Sequence, residues 1–212
     1  IKLFGGGNEV KFMIGGGDIS GNGNANAAPG DGTANPMAAA NGKEGIFEAN
    51  VVWAPNKDFQ LLGTAFRSTN DNYKYQIYSF GTKVGFGSDF NFTAEWAHNS
   101  AKNVYDPSQR NAWFAQLGYK GATKADVGSF GLFLNYKKYG NSSVDYRLQS
   151  IPIFEAINDA FTWENGARGW GVGLNYTFAK NAIFTLTYED LKAYQGNLKR
   201  GAYTYAQVNV FF

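Results

Sequence analysis

The last eleven residues of the chain, Ala202 to Phe212 (AYTYAQVNVFF), alternate in character residue by residue. Counting back from Phe212 in twos gives Val210, Val208, Ala206 and Thr204 on one face. Gln207 and Asn209 occupy the other, with Tyr203 and Tyr205 nearer its start. Successive side chains of a β-strand point to opposite sides, so this segment offers one side to an apolar medium and one to a polar medium. The pattern recurs. Phe47, Ala49, Val51 and Trp53 lie opposite Glu48, Asn50 and Val52, and Phe90, Phe92, Ala94 and Trp96 lie opposite Asn91, Thr93 and Glu95. Trp170, Val172, Leu174, Tyr176 and Phe178 alternate with Gly171, Gly173, Asn175 and Thr177. Similar segments run over Glu9–Gly15, Phe59–Arg67, Tyr73–Phe86, Ala112–Tyr119, Phe130–Lys137 and Phe184–Glu189, so about ten strands are visible. Adjacent Leu61 and Leu62 leave the parity of one of them open.

Composition narrows the medium. Hydrophobic residues make up 44% of the chain, yet mean hydropathy is −0.35. No run of about 18 apolar residues exists to form a membrane-crossing helix, but alternating strands hide their apolar half from any such average. Aromatic residues reach 17%, an excess that interfacial girdles would use. A net charge of +2 without a basic stripe gives no support for nucleic-acid binding. Cysteine is absent. No charged-then-apolar leader opens the chain, which is therefore read as a mature chain or a fragment. Neither Gly5-Gly6-Gly7 nor Gly15-Gly16-Gly17 leads into a P-loop, and Asp18 to Asp31 lacks the oxygen-ligand spacing of a calcium loop. No cofactor or metal is expected.

The connections alternate in length, short near residues 55, 88, 124 and 180 and long near 30, 104, 154 and 196. Strands of about nine to eleven residues, at ~3.3 Å each and ~40° tilt, cross roughly 25 Å of apolar thickness. The expectation is one all-β domain over residues 1–212, an antiparallel transmembrane β-barrel.

These features resemble a Gram-negative porin-type outer-membrane barrel. A strand ending on Phe212 is similar to the terminal signal of that family, which implies that Phe212, Val210 and Val208 are read by the insertion machinery and that the carboxy-terminus is periplasmic. The ending Leu186–Tyr194 with Tyr203–Phe212 is similar to the barrels of porins in diderm Firmicutes, which carry S-layer-homology domains before the barrel. These 212 residues hold no such domain, so wall tethering is not carried over. Ile1–Phe4 before Gly5-Gly6-Gly7-Asn8 resembles the tail of an earlier strand and its turn, so a portion of a larger barrel, about 16 or more strands, is expected. The resemblance implies a bacterial outer-membrane location, lipid contact, a homotrimer, and passive diffusion of ions and small polar solutes without bond-making chemistry.

Glu48, Lys83, Glu95, Lys137 and Glu189 fall on the inward parity, with Arg67 as a further pore-lining candidate. Opposed charges across a constriction set a transverse field; alternatively they pair and stiffen the wall. Inward Gly, Thr and Asn leave space, as a channel needs. The stretch Gly140–Arg168 carries Ile153, Phe154, Ile157 and Phe161 at helical spacing. As a loop folded into the barrel it would supply Glu155, Asp159, Glu164 and Arg168 to a constriction; otherwise it packs outside on its neighbours. Two other functions compete: a narrow anchoring barrel that binds a partner through its loops, and an outer-membrane lipase. The lone histidine, His98, sits near Asn99 and Ser100 on the outward parity, as a rim lipase would require, but no Ser-Asn-Gly run follows.

Overall fold

The computed structural model describes residues 1–20, 43–69, 75–104, 106–143, 166–196 and 199–211. These residues form eleven strands: β1 (Lys2–Gly6), β2 (Val10–Ser20), β3 (Lys43–Asn56), β4 (Phe59–Ser68), β5 (Gln76–Phe86), β6 (Phe90–Asn99), β7 (Asn111–Lys120), β8 (Phe130–Tyr139), β9 (Ala167–Ala179), β10 (Ala182–Ala193) and β11 (Lys199–Val210). They make a single antiparallel sheet in sequence order. The only helical element among the described residues is a 3-10 turn, Pro107–Gln109. The count exceeds the ten alternating segments by β1, the strand tail expected at Ile1–Phe4 before the glycine turn. Its partner is β2, with Phe4 opposite Met13 and Gly5 opposite Phe12.

Order and direction together put connections 57–58, 87–89, 121–129 and 180–181 at one end, and 69–75, 100–110, 140–166 and 194–198 at the other. The predicted sorting of short and long connections is only partial: 100–110 and 140–166 are long at one end and 57–58, 87–89 and 180–181 short at the other, but 121–129 is longer than 69–75 and 194–198. The turn between β3 and β4, expected near residue 55, is displaced to 57–58. Strand β3 runs on to Asn56 through a register shift between Trp53 and Asn56, where Pro55 has no N–H to offer the ladder. The parity of β4 is settled by pairing: Leu61 lies opposite Trp53 and Thr82, so Leu62 faces the other side.

The two faces differ throughout. One presents Phe12, Val51, Phe80, Trp96, Leu134 and Val172, all exposed. The other face curls around a cavity of about 640 Å³ bordered by Lys83 of β5 as well as Tyr205 and Gln207 of β11, six strands apart. Strands β1 and β11 pair only with β2 and β10, respectively, among the described residues.

Glycines on the inner face of β9 do not leave open space, contrary to expectation. A Cβ on Gly173 would sit 2.1 Å from Phe133 Cζ, and one on Gly171 2.7 Å from Asn135 Oδ1 and 3.1 Å from Glu189 Oε1. Side chains of β8 and β10 lie across β9, and the missing Cβ atoms are what admit them. Gly173→Ala should force the Phe133 ring toward the cavity and cost about 1–3 kcal/mol. Urea titration should show that cost largely relieved when Phe133→Ala is added.

Candidate functional site: a polar cavity and a tied loop

The inner face supplies amides and hydroxyls in cross-strand rows. Thr185 pairs with Asn175 on β9 and Gln207 on β11, and its Oγ1 donates to Asn175 Oδ1 at 2.7 Å. Along β11, Tyr205 donates its hydroxyl to Gln207 Oε1, and Gln207 Nε2 donates to Asn209 Oδ1 at 2.7 Å. Period-two alternation alone puts 205, 207 and 209 on one side.

Of the charges expected to line a pore, Lys83, Lys137 and Glu189 border this cavity. Lys137 Nζ bonds Glu189 Oε1, with 5% and 2% of the two side chains exposed. The partners reach across β9 over the glycine stripe, so this pair follows the stiffening alternative. Glu48 accepts from Asn50 Nδ2 at 2.8 Å on the inner side of β3. Glu95 stands opposite Gly81 on the inner side of β6, half-buried. Arg67 does not join them: it pairs with Phe47 and Gln76 on the apolar face. Val208 and Val210 are exposed on that same face; Phe212 lies outside the described residues.

The constriction candidates separate. Glu155, Asp159 and Glu164 lie outside the described residues. Arg168 stands on the apolar-face parity at the start of β9, opposite Lys138 and Lys192, and donates to Gly196 O at 2.7 Å. What packs at the long-connection end is instead the described part of the loop, 101–104 and 106–110. Ala101, Val104 and Gln109 are buried there with Tyr139 and Tyr75. Asn99 Nδ2 donates to Ser142 O at 2.8 Å, Asp106 N to Ser142 Oγ at 2.7 Å, and Ser142 N to Gln109 O at 3.2 Å. Gln195 Nε2 donates to Ser108 Oγ at 3.1 Å, tying 100–110 to 194–198 past the ends of β8 and β9. The Arg110 guanidinium holds the loop from below, donating to Asn99 O at 3.1 Å and also to Ala101 O.

Periodicity misses this loop because it has none. The readable signal is Asp106-Pro107-Ser108, a capping acid followed by a proline that cannot need an N–H in a first turn. Asp106 Oδ1 accepts from Ser108 N at 2.8 Å and Ser108 Oγ at 2.7 Å, and Oδ2 accepts from Gln109 Nε2 at 2.9 Å. Burial pulls the Asp106 carboxyl up, but these donors outweigh it and hold it below the usual 3.8. Burial, then the Asp106 charge, pushes the Tyr194 hydroxyl up. A carboxyl lowered by folding contributes its tether above its unfolded value and loses it as pH falls through the folded one. Proteolytic nicking of 101–110 should therefore rise only below about pH 4, and Asp106→Asn should show the faster nicking already at neutral pH.

His98 Nδ1 lies 2.9 Å from Asn111 Oδ1, and its ring stacks on Trp96 at 5.9 Å. Ser100 Oγ donates to Gln76 O at 3.1 Å. No hydroxyl of the described residues is hydrogen-bonded to His98.

On the apolar face the rings form two tiers. Toward the short turns, Phe86, Phe90, Tyr119 and Phe130 follow one another at centroid distances of 5.8, 5.0 and 6.5 Å. Toward the long connections, Trp113, Tyr136 and Trp170 lie 5.0 and 4.7 Å apart. Between the tiers the row Leu117, Leu134 and Val172 is aliphatic, with Phe92 and Tyr188 at its two ends. A scan against protein-family models finds no match to the chain, and a search of curated proteins finds no relative.

Proposed function

We propose that the chain forms the wall of a porin-type β-barrel in a bacterial outer membrane, a water-filled path for passive diffusion of ions and small polar solutes. The observation that carries this reading is the exposed face. Trp170 at 58%, Phe80 at 55% and Val208 at 54% exposure stand on one side of strands whose other side carries the amides and hydroxyls. An apolar surface continuous over so many strands far exceeds what a soluble monomer leaves uncovered. Aromatic tiers at both borders of an aliphatic band suit two lipid interfaces. With the carboxy-terminal end periplasmic, the short turns lie inside and the long connections outside.

Strand direction supports a larger closed structure. In an antiparallel meander of eleven strands, β1 and β11 run the same way, so closing an all-antiparallel barrel takes an odd number of further strands. A total of about 16 or more fits a wide, water-filled barrel, and trimeric assembly is the usual arrangement of such barrels.

A second reading, a narrow barrel that anchors or binds partners through its loops, is favoured by the buried ties of Ala101–Arg110. Planar-bilayer recording separates the two. Stable conductance steps support the porin, while silence from a folded, heat-modifiable protein sinks it. Conductance that emerges only after residues 101–109 are excised would identify a plugged barrel.

A further inference from the structure

One hydrogen-bonded row across the apolar face changes character along its length. It runs Phe80, Trp96, Trp113, Lys138, Arg168, Lys192, with Lys199 next in backbone register. Phe80 lies four residues inside the long-connection end of its strand, Trp113 two and Arg168 one. Strands ~4.8 Å apart and tilted ~40° lift such a row by roughly 3 Å per strand along a barrel axis. The other tier climbs in the same sense. From Phe86, Phe90 and Tyr119 its row passes to Leu132, Leu174 and Leu186 in the aliphatic band. A row that starts among interfacial aromatics therefore leaves the apolar band on β8, β9 and β10, and there it becomes cationic.

Lys138, Arg168 and Lys192 stand directly opposite one another on neighbouring strands. Like charges so placed repel. The sole ion pair among the described residues is the inward Lys137–Glu189, so no described carboxylate neutralises any of the three. Asp190, one row lower beside Trp170, makes no ion pair with them. Two of the cations are held in place rather than waving in solvent: Lys138 Nζ lies 4.3 Å from the Tyr194 ring centroid, and Arg168 bonds Gly196 O.

We infer that this row binds the phosphate of an anionic lipid headgroup in the leaflet at the long-connection side. This rests on the membrane reading above and adds the lipid chemistry and its seat. A headgroup phosphate sits just outside the acyl boundary, the level the row reaches one step beyond Tyr136 and Trp170, and it removes the mutual repulsion of three cations. Planar Arg168 offers paired donors to phosphate oxygens, and the lysines act as flanking point charges.

The test folds the complete barrel that carries this chain into vesicles of neutral phosphatidylcholine and into vesicles that also contain phosphatidylglycerol or lipid A. Lipid retained after extraction is then counted by native mass spectrometry. Anionic lipid should be retained in preference, with the preference falling about fivefold for each cation removed. A Lys138→Gln, Arg168→Gln, Lys192→Gln variant should lose it, and a Lys57→Gln, Lys120→Gln, Lys124→Gln variant at the other end should keep it. Retention of the preference in the first variant overturns the inference. So does displacement of the lipid by inorganic phosphate at equal concentration, which would mark a site for free anions. Folding that is equally good in both vesicles but without lipid preference overturns the inference alone. Failure to reach a heat-modifiable state in any vesicle overturns the membrane reading, and this inference with it.

Discussion

Leu134→Arg is expected to destabilise the chain folded in phospholipid vesicles by about 2–4 kcal/mol, the cost of an arginine at mid-depth on a lipid-facing strand. Leu134 pairs with Leu117 and Val172 in the aliphatic band midway between the aromatic tiers. It is 44% exposed. That exposure makes the substitution decisive. On a soluble sheet with water against this face, a half-exposed leucine replaced by arginine changes stability by roughly 0.5 kcal/mol or less. Gln116→Arg, on the adjoining strand but facing the cavity, should cost little in either case. Urea titrations of the two variants in vesicles, with equal losses, would contradict the assignment of the faces.

Glu189→Gln is expected to be the costliest conservative change on the inner side, about 3–5 kcal/mol. Its carboxylate bonds Lys137 Nζ in a site where 5% and 2% of the side chains are exposed. Removing one charge leaves the other desolvated without its partner. Lys137→Met combined with Glu189→Leu should recover most of the loss, because a buried pair replaced by apolar groups gives up both desolvation costs. A channel that still opens in Glu189→Gln should shift toward anions, since a lysine on the cavity wall is then unpaired. Should the single and double variants prove equally unstable, packing of the side chains would matter there and their charges would not.

The strand pattern was legible because its period is two and each inward Gly, Asn or Thr interrupts the apolar residues on schedule. It failed where the period is broken. Leu61 and Leu62 gave two parities, and only pairing with Trp53 and Thr82 chose between them. Arg67 went to the pore with the wrong parity of that strand, whereas it lies opposite Phe47. Strand β1, five residues ending on two glycines, was legible only as the tail of a strand before a glycine turn, not as alternation. The Lys137–Glu189 pair joins residues 52 apart in sequence, and it reaches diagonally across two glycines of β9, Gly169 opposite Lys137 and Gly171 opposite Glu189, inward glycines read as empty space. The loop Ala101–Arg110 gave no signal beyond Asp106-Pro107-Ser108, because its burial comes from contacts with Ser142 and Gln195 rather than from any pattern of its own. The cationic row is invisible to sequence for the same reason: Lys138, Arg168 and Lys192 become neighbours only through register.

The most direct measurement is the accessibility of alternate residues on β10 to lipid and to water. The chain has no cysteine, so single cysteines can be placed without background at Phe184, Leu186 and Tyr188 on one face and at Thr185 and Thr187 on the other. Folded into vesicles and labelled with an environment-sensitive fluorophore, positions 184, 186 and 188 should be quenched by brominated lipid. Positions 185 and 187 should react with a water-soluble thiol reagent and escape that quenching. Equal reactivity with the aqueous reagent at all five positions, with no lipid quenching at any, would contradict a wall that has lipid on one side and water on the other.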